Sequence, residues 1–452
     1  MRKQRFNSGK SHNFFFPATG LFLMFALLVT VSSCKKKQPG PECTPLNGSR
    51  GFEVVDHTEL NVQNVLDDLT LFASDTNNAD YNEFYRGLTS GMPSGILPYP
   101  VAHEVVRYLS TDNNGNPIQL TGLLIYPYNP PPFGRVNAPI VSMNHGTELL
   151  KRQAPSKWGS GPKMDYPEVL VAHALAIWYG WIVIMPDYQG MGSDVDENHP
   201  YCVKDRLANA TADMVEAAQQ SLSCNRNAYV KWNGQTYLYG FSEGGYVTMV
   251  AARELEARNV NLSGVVCMDG PYDLSGTMLN VMLGGNPFPV PYFLPMLLVG
   301  YNTMYPPTFP YGVMLKDPYR TNLPKYTNGF YDENVVNSKM PADKILKEVF
   351  TDAFYDSLST PTSRAFLTLY GNNAYVDWTP KSKMLLWHCP NDDCVPYGNM
   401  VTAMNAFNSL GATTIQYVTG PVVKPSGSST VHVTVAPKAF LAGSRWIYHL
   451  TK

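Results

Sequence analysis

The segment QTYLYGFSEGGYVTMV, residues 235–250, joins an apolar run to a helical pattern through the turn GFSEG at 240–244. Residues 235–239 favour a strand, and apolar side chains recur at helical spacing from Tyr246 onward. The glycines on either side of Ser242 permit a tight turn between the two elements. The segment therefore predicts a strand, a sharp turn and a helix, with a serine exposed at the turn.

Apolar runs and helical patterns alternate on both sides of this segment, which is typical of strands joined by crossover helices. The hairpin turn DNNGN at 112–116 makes the first strand pair antiparallel, and the later strands are expected to be parallel. Eight strands are predicted, at 103–111, 118–126, 140–144, 181–186, 235–240, 264–269, 384–388 and 414–419. Helices are predicted at 166–179, 204–222, 243–258, 397–410 and 437–450. The fold class is therefore α/β, with a doubly wound, mostly parallel sheet and flanking helices.

One long stretch lacks this alternation of predicted strands and helices. Residues 271–380 are rich in aromatic residues and methionine without strand alternation, and they predict a helical cap inserted between core segments at 54–270 and 381–452. Two interpretations of its apolar side chains stay open. They form a small core of the cap itself, or residues 284–309 also line an apolar substrate cleft.

The amino terminus resembles an export signal. Basic residues precede an apolar stretch at 14–31, and its most apolar part is about 11 residues long, whereas a bilayer span needs about 20. We predict a signal peptide at 1–33, then a flexible spacer at 34–53. Ser33-Cys34 resembles a bacterial lipobox, which would make Cys34 the lipidated first residue. A retained membrane anchor and ordinary signal-peptidase cleavage near Cys34 are the alternatives.

Export permits disulfides. Cys202 and Cys224 flank a predicted helix and Cys389 and Cys394 flank a turn, but neither pair is favoured to bond; Cys267, in an apolar strand, is expected to be a buried free thiol. The cysteine spacings do not match a zinc site, and no metal is expected. The formal net charge of −2 offers no basic field, so nucleic acid is not an expected partner.

A serine becomes a nucleophile when a histidine base is held in place by a carboxylate. After Ser242, histidines occur only at 388, 432 and 449. His388 ends a strand and His449 lies late in the last helix. His432 lies between the last strand and the helix expected to begin at Pro437, so it is the predicted base. Residues 431–435 also alternate well, which leaves a strand histidine as the competing interpretation.

The predicted acid is Asp392, in the turn that follows the strand at 384–388, because catalytic side chains in open α/β sheets stand at the carboxyl ends of strands. Asp393 is the alternative, whereas Asp273 and Asp377 are better explained as turn or cap residues.

Two backbone N–H groups are expected to form an oxyanion hole. The strand at 140–144 leads into His145-Gly146-Thr147, so the N–H of Thr147 can join that of Glu243. His145 precedes the serine and is expected to hold this loop.

Several of these motifs together resemble the secreted lipase-like branch of the α/β-hydrolases. The resemblance covers about 100–275 and 380–450 and leaves the cap largely unmatched. It implies an α/β-hydrolase fold with a cap over the serine, and it supports Ser242, Asp392, His432 and Thr147 at the matching positions. Glu243 stands where such enzymes often carry glutamine, and no glycine directly precedes His432. The motifs are NHGT at 144–147, GWIVIMPDYQGMG at 180–192, HPY at 199–201, GFSEGG at 240–245 and DDCVP at 392–396.

These features together lead us to expect a lipoprotein serine hydrolase that cleaves carboxylic esters through an acyl-enzyme, without a cofactor. The expected partners are a small-molecule or lipid ester and, through Cys34, a membrane of the bacterial cell envelope, with the enzyme facing the periplasm or the exterior. A carbohydrate (acetyl or feruloyl) esterase and a serine aminopeptidase would use the same catalytic residues. A non-catalytic binding lipoprotein is the alternative from another class.

Overall fold

The structure, a computed structural model, describes residues 51–75, 83–84, 86–88, 98–112, 114–128, 134–162, 165–194, 197–224, 227–425, 427 and 429–452, with only the backbone at 69 and 71–75. Gly48–Lys452 forms one compact unit. The predicted signal peptide, Cys34 and nearly all of the predicted spacer lie outside the described residues. Within the described ranges, no helix has both the length and the apolarity needed to cross a bilayer.

In the described part of the chain, nine strands form one sheet in the order β1-β2-β3-β5-β4-β6-β7-β8-β9. Strands β1, β2 and β3 are antiparallel neighbours, β3 pairs antiparallel with β5, and all remaining pairs are parallel. The mostly parallel sheet expected from the sequence is therefore confirmed. The bounds are Phe52–Leu60 (β1), Val101–Thr111 (β2), Pro117–Pro127 (β3), Val136–Asn144 (β4), Ile182–Pro186 (β5), Val230–Phe241 (β6), Gly264–Met268 (β7), Met384–His388 (β8) and Ile415–Thr419 (β9).

The prediction of eight strands was wrong by one, because it lacked β1. This strand begins inside the segment predicted as spacer, lies at the edge of the sheet and pairs only with β2. Its sequence FEVVDHTEL is exposed or half-buried throughout, so it has neither the apolar run nor the clean alternation that marks a covered strand.

Helices cover both faces of the sheet. Their bounds are Val62–Asp75 (α1), Pro167–Tyr179 (α2), Lys204–Ser223 (α3), Glu243–Ala257 (α4), Thr277–Leu283 (α5), Phe293–Met304 (α6), Tyr311–Met314 (α7), Tyr319–Tyr326 (α8), Glu333–Asn337 (α9), Asp352–Ser359 (α10), Arg364–Gly371 (α11), Gly398–Ser409 (α12) and Val431–Leu450 (α13). Short 3₁₀ turns lie at Lys151–Gln153, Pro155–Lys157 and Leu346–Val349.

Successive side chains of the central strands enter two different cores. In β7, Val265 and Cys267 join the core that contains α3, α4 and α12, whereas Val266 and Met268 join the core of α2 and α13. Because both faces are covered, these strands read as continuous apolar runs in the sequence.

Residues 269–383, all of them described, contain α5 to α11 and no strand beyond an isolated bridge between Leu315 and Phe350. Buried residues of this segment such as Leu294 and Phe309 belong to the same apolar cluster as Tyr246 on α4. The apolar interior of the segment is therefore continuous with the core on this face of the sheet.

The last helix begins at Val431, not at Pro437 as predicted. The Thr430 hydroxyl accepts the N–H of Val433, and the carboxylate of Asp393 accepts the first two N–H groups of the helix. These bonds stabilise a helix start six residues before the proline. His432 consequently lies in the first turn of α13 rather than in a loop or a strand.

Of the cysteines that the structure describes, four carry free, buried thiols, at positions 202, 267, 389 and 394. The pairs Cys202–Cys224 and Cys389–Cys394 are therefore not bonded to each other, and the prediction of a buried thiol at Cys267 is confirmed. Cys224 is disulfide-bonded.

Candidate active site

The turn between β6 and α4 holds Ser242 in a strained backbone conformation, with φ 59° and ψ −127°. Such a conformation costs a non-glycine residue about 1–3 kcal/mol, so the surrounding packing must impose it. A Cβ at Gly244 would lie 2.0 Å from the carbonyl oxygen of Asn144, and one at Gly245 would lie 2.4 Å from that of Met268. Only glycine lets α4 approach the neighbouring strands closely enough to form this turn.

The imidazole of His432 connects this serine to an acid. Its Nε2 lies 2.8 Å from Oγ of Ser242, and its Nδ1 donates to Oδ2 of Asp392 at 2.6 Å. The ring of Phe241 stacks on the imidazole with centroids 4.7 Å apart. All three polar side chains are buried. The structure thus brings together the alcohol, the base and the acid that the sequence nominated from three distant segments.

The turn after β8 holds Asp392 through its other oxygen. Oδ1 accepts the backbone N–H groups of Cys394 at 2.9 Å and Val395 at 2.8 Å. Burial alone would raise the pKa of Asp392, but the charge and hydrogen bond of His432 and the other donors hold it below its usual value. The adjacent Asp393 instead caps α13, so geometry distinguishes the two neighbouring carboxylates.

The two expected oxyanion donors, Thr147 and Glu243, both have backbone N–H groups without an acceptor among the described residues. Glu243 is the first residue of α4, so its N–H has no acceptor within the helix, and the N–H of Thr147 donates to no described residue. A Cβ at Gly146 would lie 3.7 Å from Cβ of Ser242, so the Thr147 loop adjoins the serine. The carboxyl of Glu168 accepts the N–H of Gly146 at 2.7 Å, and burial raises the pKa of Glu168 to about 8.

His199 belongs to the HPY motif at 199–201, from which the sequence alone does not indicate its role. Its Nε2 lies 2.7 Å from Oε1 of the fully buried Glu243, and its Nδ1 donates to the carbonyl of Gln189. Burial alone would lower the pKa of His199, but Glu243 raises it; burial raises the pKa of Glu243 despite the histidine. A single proton between the two groups would leave the pair without net charge, whichever of the two groups carries it.

The other candidates from the sequence take no part in the hydrogen bonds that join Ser242, His432 and Asp392. His145 donates to its neighbour's carbonyl and stacks on Tyr188, and burial lowers its pKa to about 4. His388 is buried and donates to Val395, and His449 is exposed near the end of α13. The carboxylate of Asp273 caps α5, and Asp377 occupies a turn with φ 59°.

Among the described residues, Asp269, His388 and Asp392 have potential ligand atoms within 4.8 Å of one another, and so do Asp392, Asp393 and Cys394. The atoms of Asp392 that would serve a metal already accept hydrogen bonds from His432 and two backbone N–H groups. We therefore interpret both groups as hydrogen-bonded clusters rather than metal centres.

An apolar cleft adjoins the site. Its walls border about 510 Å³ of space not filled by protein atoms, a volume that includes open solvent at its mouth. Tyr201, on its wall, hydrogen-bonds the Thr147 hydroxyl at 2.9 Å, and Val395, also on its wall, donates to Asp392. The cap contributes Phe288, Phe293, Leu294 and Leu297 from the segment 284–309, together with Met278, Val281, Met282 and Leu346.

Comparison with known families finds one similarity within the chain. Residues 154–279 match the model of the family described as secretory lipase. The chain is similar to that family over this part of its length, which is less than half of the chain. The matched residues include Ser242 and end before Asp392 and His432. A secreted triacylglycerol lipase of Malassezia restricta, LIP3, is 24% identical over 326 residues, which cover 70% of this chain and 65% of that protein.

Solved structures with similar folds show the α/β-hydrolase fold for the chain. A putative hydrolase from Legionella pneumophila superposes with a TM-score of 0.69 at 20% identity, covering 89% of this chain and 98% of its own. The rice cell wall degrading esterase LipA from Xanthomonas oryzae superposes with a TM-score of 0.69 at 22% sequence identity, and the match covers 86% of this chain and 96% of that chain. Candida antarctica lipase A in its closed state superposes with a TM-score of 0.56 at 14% sequence identity, and the match covers 82% of this chain and 77% of that chain. The fold class predicted from the sequence is confirmed.

Proposed function

We propose that the protein is a serine hydrolase of carboxylic esters, with Ser242, His432 and Asp392 as its catalytic triad. The observation that carries the proposal is the continuous hydrogen-bonded line from Ser242 Oγ through the imidazole to Asp392, with spacings of 2.8 and 2.6 Å. Nε2 of His432 takes the serine proton as Oγ attacks the ester carbonyl. It returns that proton to the departing alcohol, and water then releases the acid by the same steps.

The N–H groups of Thr147 and Glu243 are the proposed donors to the oxyanion. One such donor is typically worth about 3–4 kcal/mol in the transition state. A bare carboxylate at Glu243 would oppose the negative charge that develops on the substrate oxygen. The proton shared with His199 removes that conflict, which gives the histidine of the HPY motif an electrostatic role.

The apolar cleft is the proposed site for the acyl group. Its wall consists mainly of aliphatic and aromatic side chains from the cap, a composition that favours a hydrocarbon chain over a sugar. The same reasoning supports a lipid or other fatty-acyl ester as the substrate class, in line with the triacylglycerol lipase to which the chain is similar.

A carbohydrate ester is the second candidate. The observation that favours it is a polar depression lined by Thr147 together with Glu148, Arg152, Asp165 and Glu333 among others, which suits a hydroxylated alcohol group. The similarly folded Xanthomonas oryzae enzyme is described as an esterase that degrades rice cell wall.

We also propose that the mature protein begins at Cys34, is lipidated there, and acts outside the cytoplasm at a membrane of the cell envelope. The order of basic residues, apolar stretch and Ser33-Cys34 supports this. Radiolabelled fatty acid should enter the wild-type protein and not Cys34→Ser, and equal labelling of both would contradict the anchor.

A fluorophosphonate probe tests the catalytic proposal. It should label the wild type and fail to label Ser242→Ala, whereas Ser444→Ala, which alters another buried serine on α13, should label normally. A properly folded wild type that resists the probe would support the non-catalytic binding protein instead.

A panel of p-nitrophenyl esters from acetate to palmitate then identifies the acyl preference. A kcat/KM that rises with chain length supports the apolar cleft, and a preference for acetate favours the carbohydrate esterase. Faster cleavage of aminoacyl amides than of any ester would indicate an aminopeptidase.

A further inference from the structure

A second carboxyl lies behind the proposed triad and has no part in the mechanism above. Asp269 follows β7 directly, is fully buried and adopts φ 44°. Its Oδ1 accepts the N–H of Cys389 at 2.8 Å. Its Oδ2 is also buried and accepts no hydrogen bond from any described residue. A buried carboxylate oxygen without a donor is costly, so the protonation state of this group needs an explanation.

Among the described residues, Asp269 has another carboxyl close to it and no lysine or arginine paired with it. The potential ligand atoms of Asp269, His388 and Asp392 all lie within 4.8 Å of one another, and no described lysine or arginine is paired with either acid. Burial lowers the pKa of His388 to about 4, so this imidazole is neutral. The thiol of Cys389 and the phenol of Tyr272 are the other titratable groups that face Asp269, and burial keeps both neutral.

The known donors to Asp392 are a histidine and two backbone N–H groups, and Asp392 must be ionised to orient His432. Two ionised carboxylates in so small a buried volume would repel each other strongly. Placing one proton on Asp269 removes the repulsion and supplies a donor for its otherwise unpartnered oxygen.

We propose that Asp269 is a positioning residue of the triad: a neutral carboxylic acid whose Oδ2–H donates to the carboxylate of Asp392. This inference rests on the triad proposed above. Burial and the charge of Asp392 both raise the pKa of Asp269 well above its usual value, which agrees with the geometry. The bond adds a donor to Asp392 from the strand beside its own, so the orientation of the acid is fixed by both β7 and β8.

Asp269→Asn tests the protonation state. Asparagine tolerates a positive φ, keeps an acceptor for Cys389 and offers an N–H donor to Asp392, while it cannot ionise. If Asp269 is already neutral, this change leaves the charge near His432 unaltered. If Asp269 is ionised, the change removes a negative charge and lowers the pKa of His432 by about one unit.

The measurement is an NMR titration of the His432 imidazole in full-length Ser242→Ala and Ser242→Ala/Asp269→Asn, which requires no catalysis. If the His432 midpoints of the two proteins differ by less than 0.5 pH units, the result supports a neutral Asp269. A midpoint lower by 0.5 pH units or more in the protein with Asp269→Asn contradicts the proposal that Asp269 is neutral. Because both proteins lack the serine, this result stands even if the enzyme proves inactive on esters.

The positioning role is tested by kinetics on an ester substrate. Asp269→Gly tolerates the backbone conformation but removes the donor, and it should lower kcat about 10- to 100-fold with KM changed less than threefold. The kcat of Asp269→Asn should stay within threefold of the wild-type value, and its dependence on pH on the acidic side should be unchanged. Asp273→Asn alters a nearby buried carboxylate that caps α5, and it should leave kcat and the profile unchanged.

Thermal unfolding of each variant identifies any that fail to fold. A folded Asp269→Gly variant with wild-type kcat would refute the positioning role.

Discussion

Replacing Asp392 by asparagine is the change whose effect follows most directly from the hydrogen bonds of the site. The position of Oδ1 accepts two backbone N–H groups, from Cys394 and Val395. An amide nitrogen there would face two donors, so the amide oxygen must take that position and the NH₂ group must face His432.

The imidazole then has to accept at Nδ1 and carry its proton on Nε2, which faces Ser242. A histidine in that tautomer cannot take the serine proton. The wrong tautomer costs about 10⁴ in kcat in a serine protease with the same constellation, and four decades correspond to about 5.4 kcal/mol of transition-state stabilisation. We expect a loss of this size in kcat, with KM nearly unchanged because no substrate contact is altered.

The assay is steady-state hydrolysis of p-nitrophenyl butyrate, with folding checked by circular dichroism. Asp393→Asn is the matched control, since it changes the adjacent carboxylate, which caps α13. That variant should retain kcat within about threefold and lose about 1 kcal/mol or less of stability. An Asp392→Asn enzyme with more than a tenth of wild-type kcat would show that the tautomer argument is wrong.

Three further predictions concern the turn, the oxyanion loop and the cleft. Gly244→Ala places a Cβ 2.0 Å from the carbonyl oxygen of Asn144 and should reduce the free energy of unfolding by about 3 kcal/mol or more, as measured in urea, whereas Gly312→Ala, where nothing lies within 4 Å, should cost under 1 kcal/mol. Glu168 ionises near 4.5 when unfolded and near 8 when folded, so folding takes up a proton between these values and stability should fall as the pH rises through them. The loss of stability should be at most about 5 kcal/mol, since each unit of difference between the two pKa values is worth about 1.4 kcal/mol. The melting temperature of Glu168→Gln should therefore change less with pH over this range than that of the wild type. Parallel plots of melting temperature against pH for the two proteins would contradict the assignment. Leu297→Trp fills the apolar cleft and should lower kcat/KM for palmitate esters at least tenfold while acetate hydrolysis stays within threefold, and an equal loss on both would place the acyl group elsewhere.

Much of the fold is predictable because the central strands are covered on both faces and therefore appear as apolar runs. β1 is not, since its side chains remain largely exposed and its pairing with β2 depends on backbone hydrogen bonds that no side-chain pattern reports. The predicted start of α13 is wrong because proline favours the first position of a helix, which points to Pro437. Thr430, whose hydroxyl caps the helix in the structure, is the residue type that indicates the actual start.

Some residues of the candidate site could likewise be predicted from the sequence, and others could not. Ser242 and His432 were identifiable from a local motif and from the few histidines that follow it. The sequence could rank Asp392 above Asp393 but not separate them, because adjacent residues of a turn point in directions that only the folded chain defines. His199 lies 44 residues before its partner Glu243, and no local pattern links them. Asp269 met the strand-end criterion that selected Asp392, so this signal was available.

The segment between Asp269 and Met384 leaves the sheet at the end of β7 and returns at the start of β8, and these two strands are immediate neighbours. Its ends are thus anchored side by side on neighbouring strands of the sheet, while Ser242 and His432 are supplied from outside it. We expect that such a segment can be exchanged as a cassette between homologous chains, or randomised in a directed-evolution library, with Ser242, His432 and Asp392 left in place. Variation in acyl preference would then be sought in the cassette, and the glycine-rich turn would be left untouched.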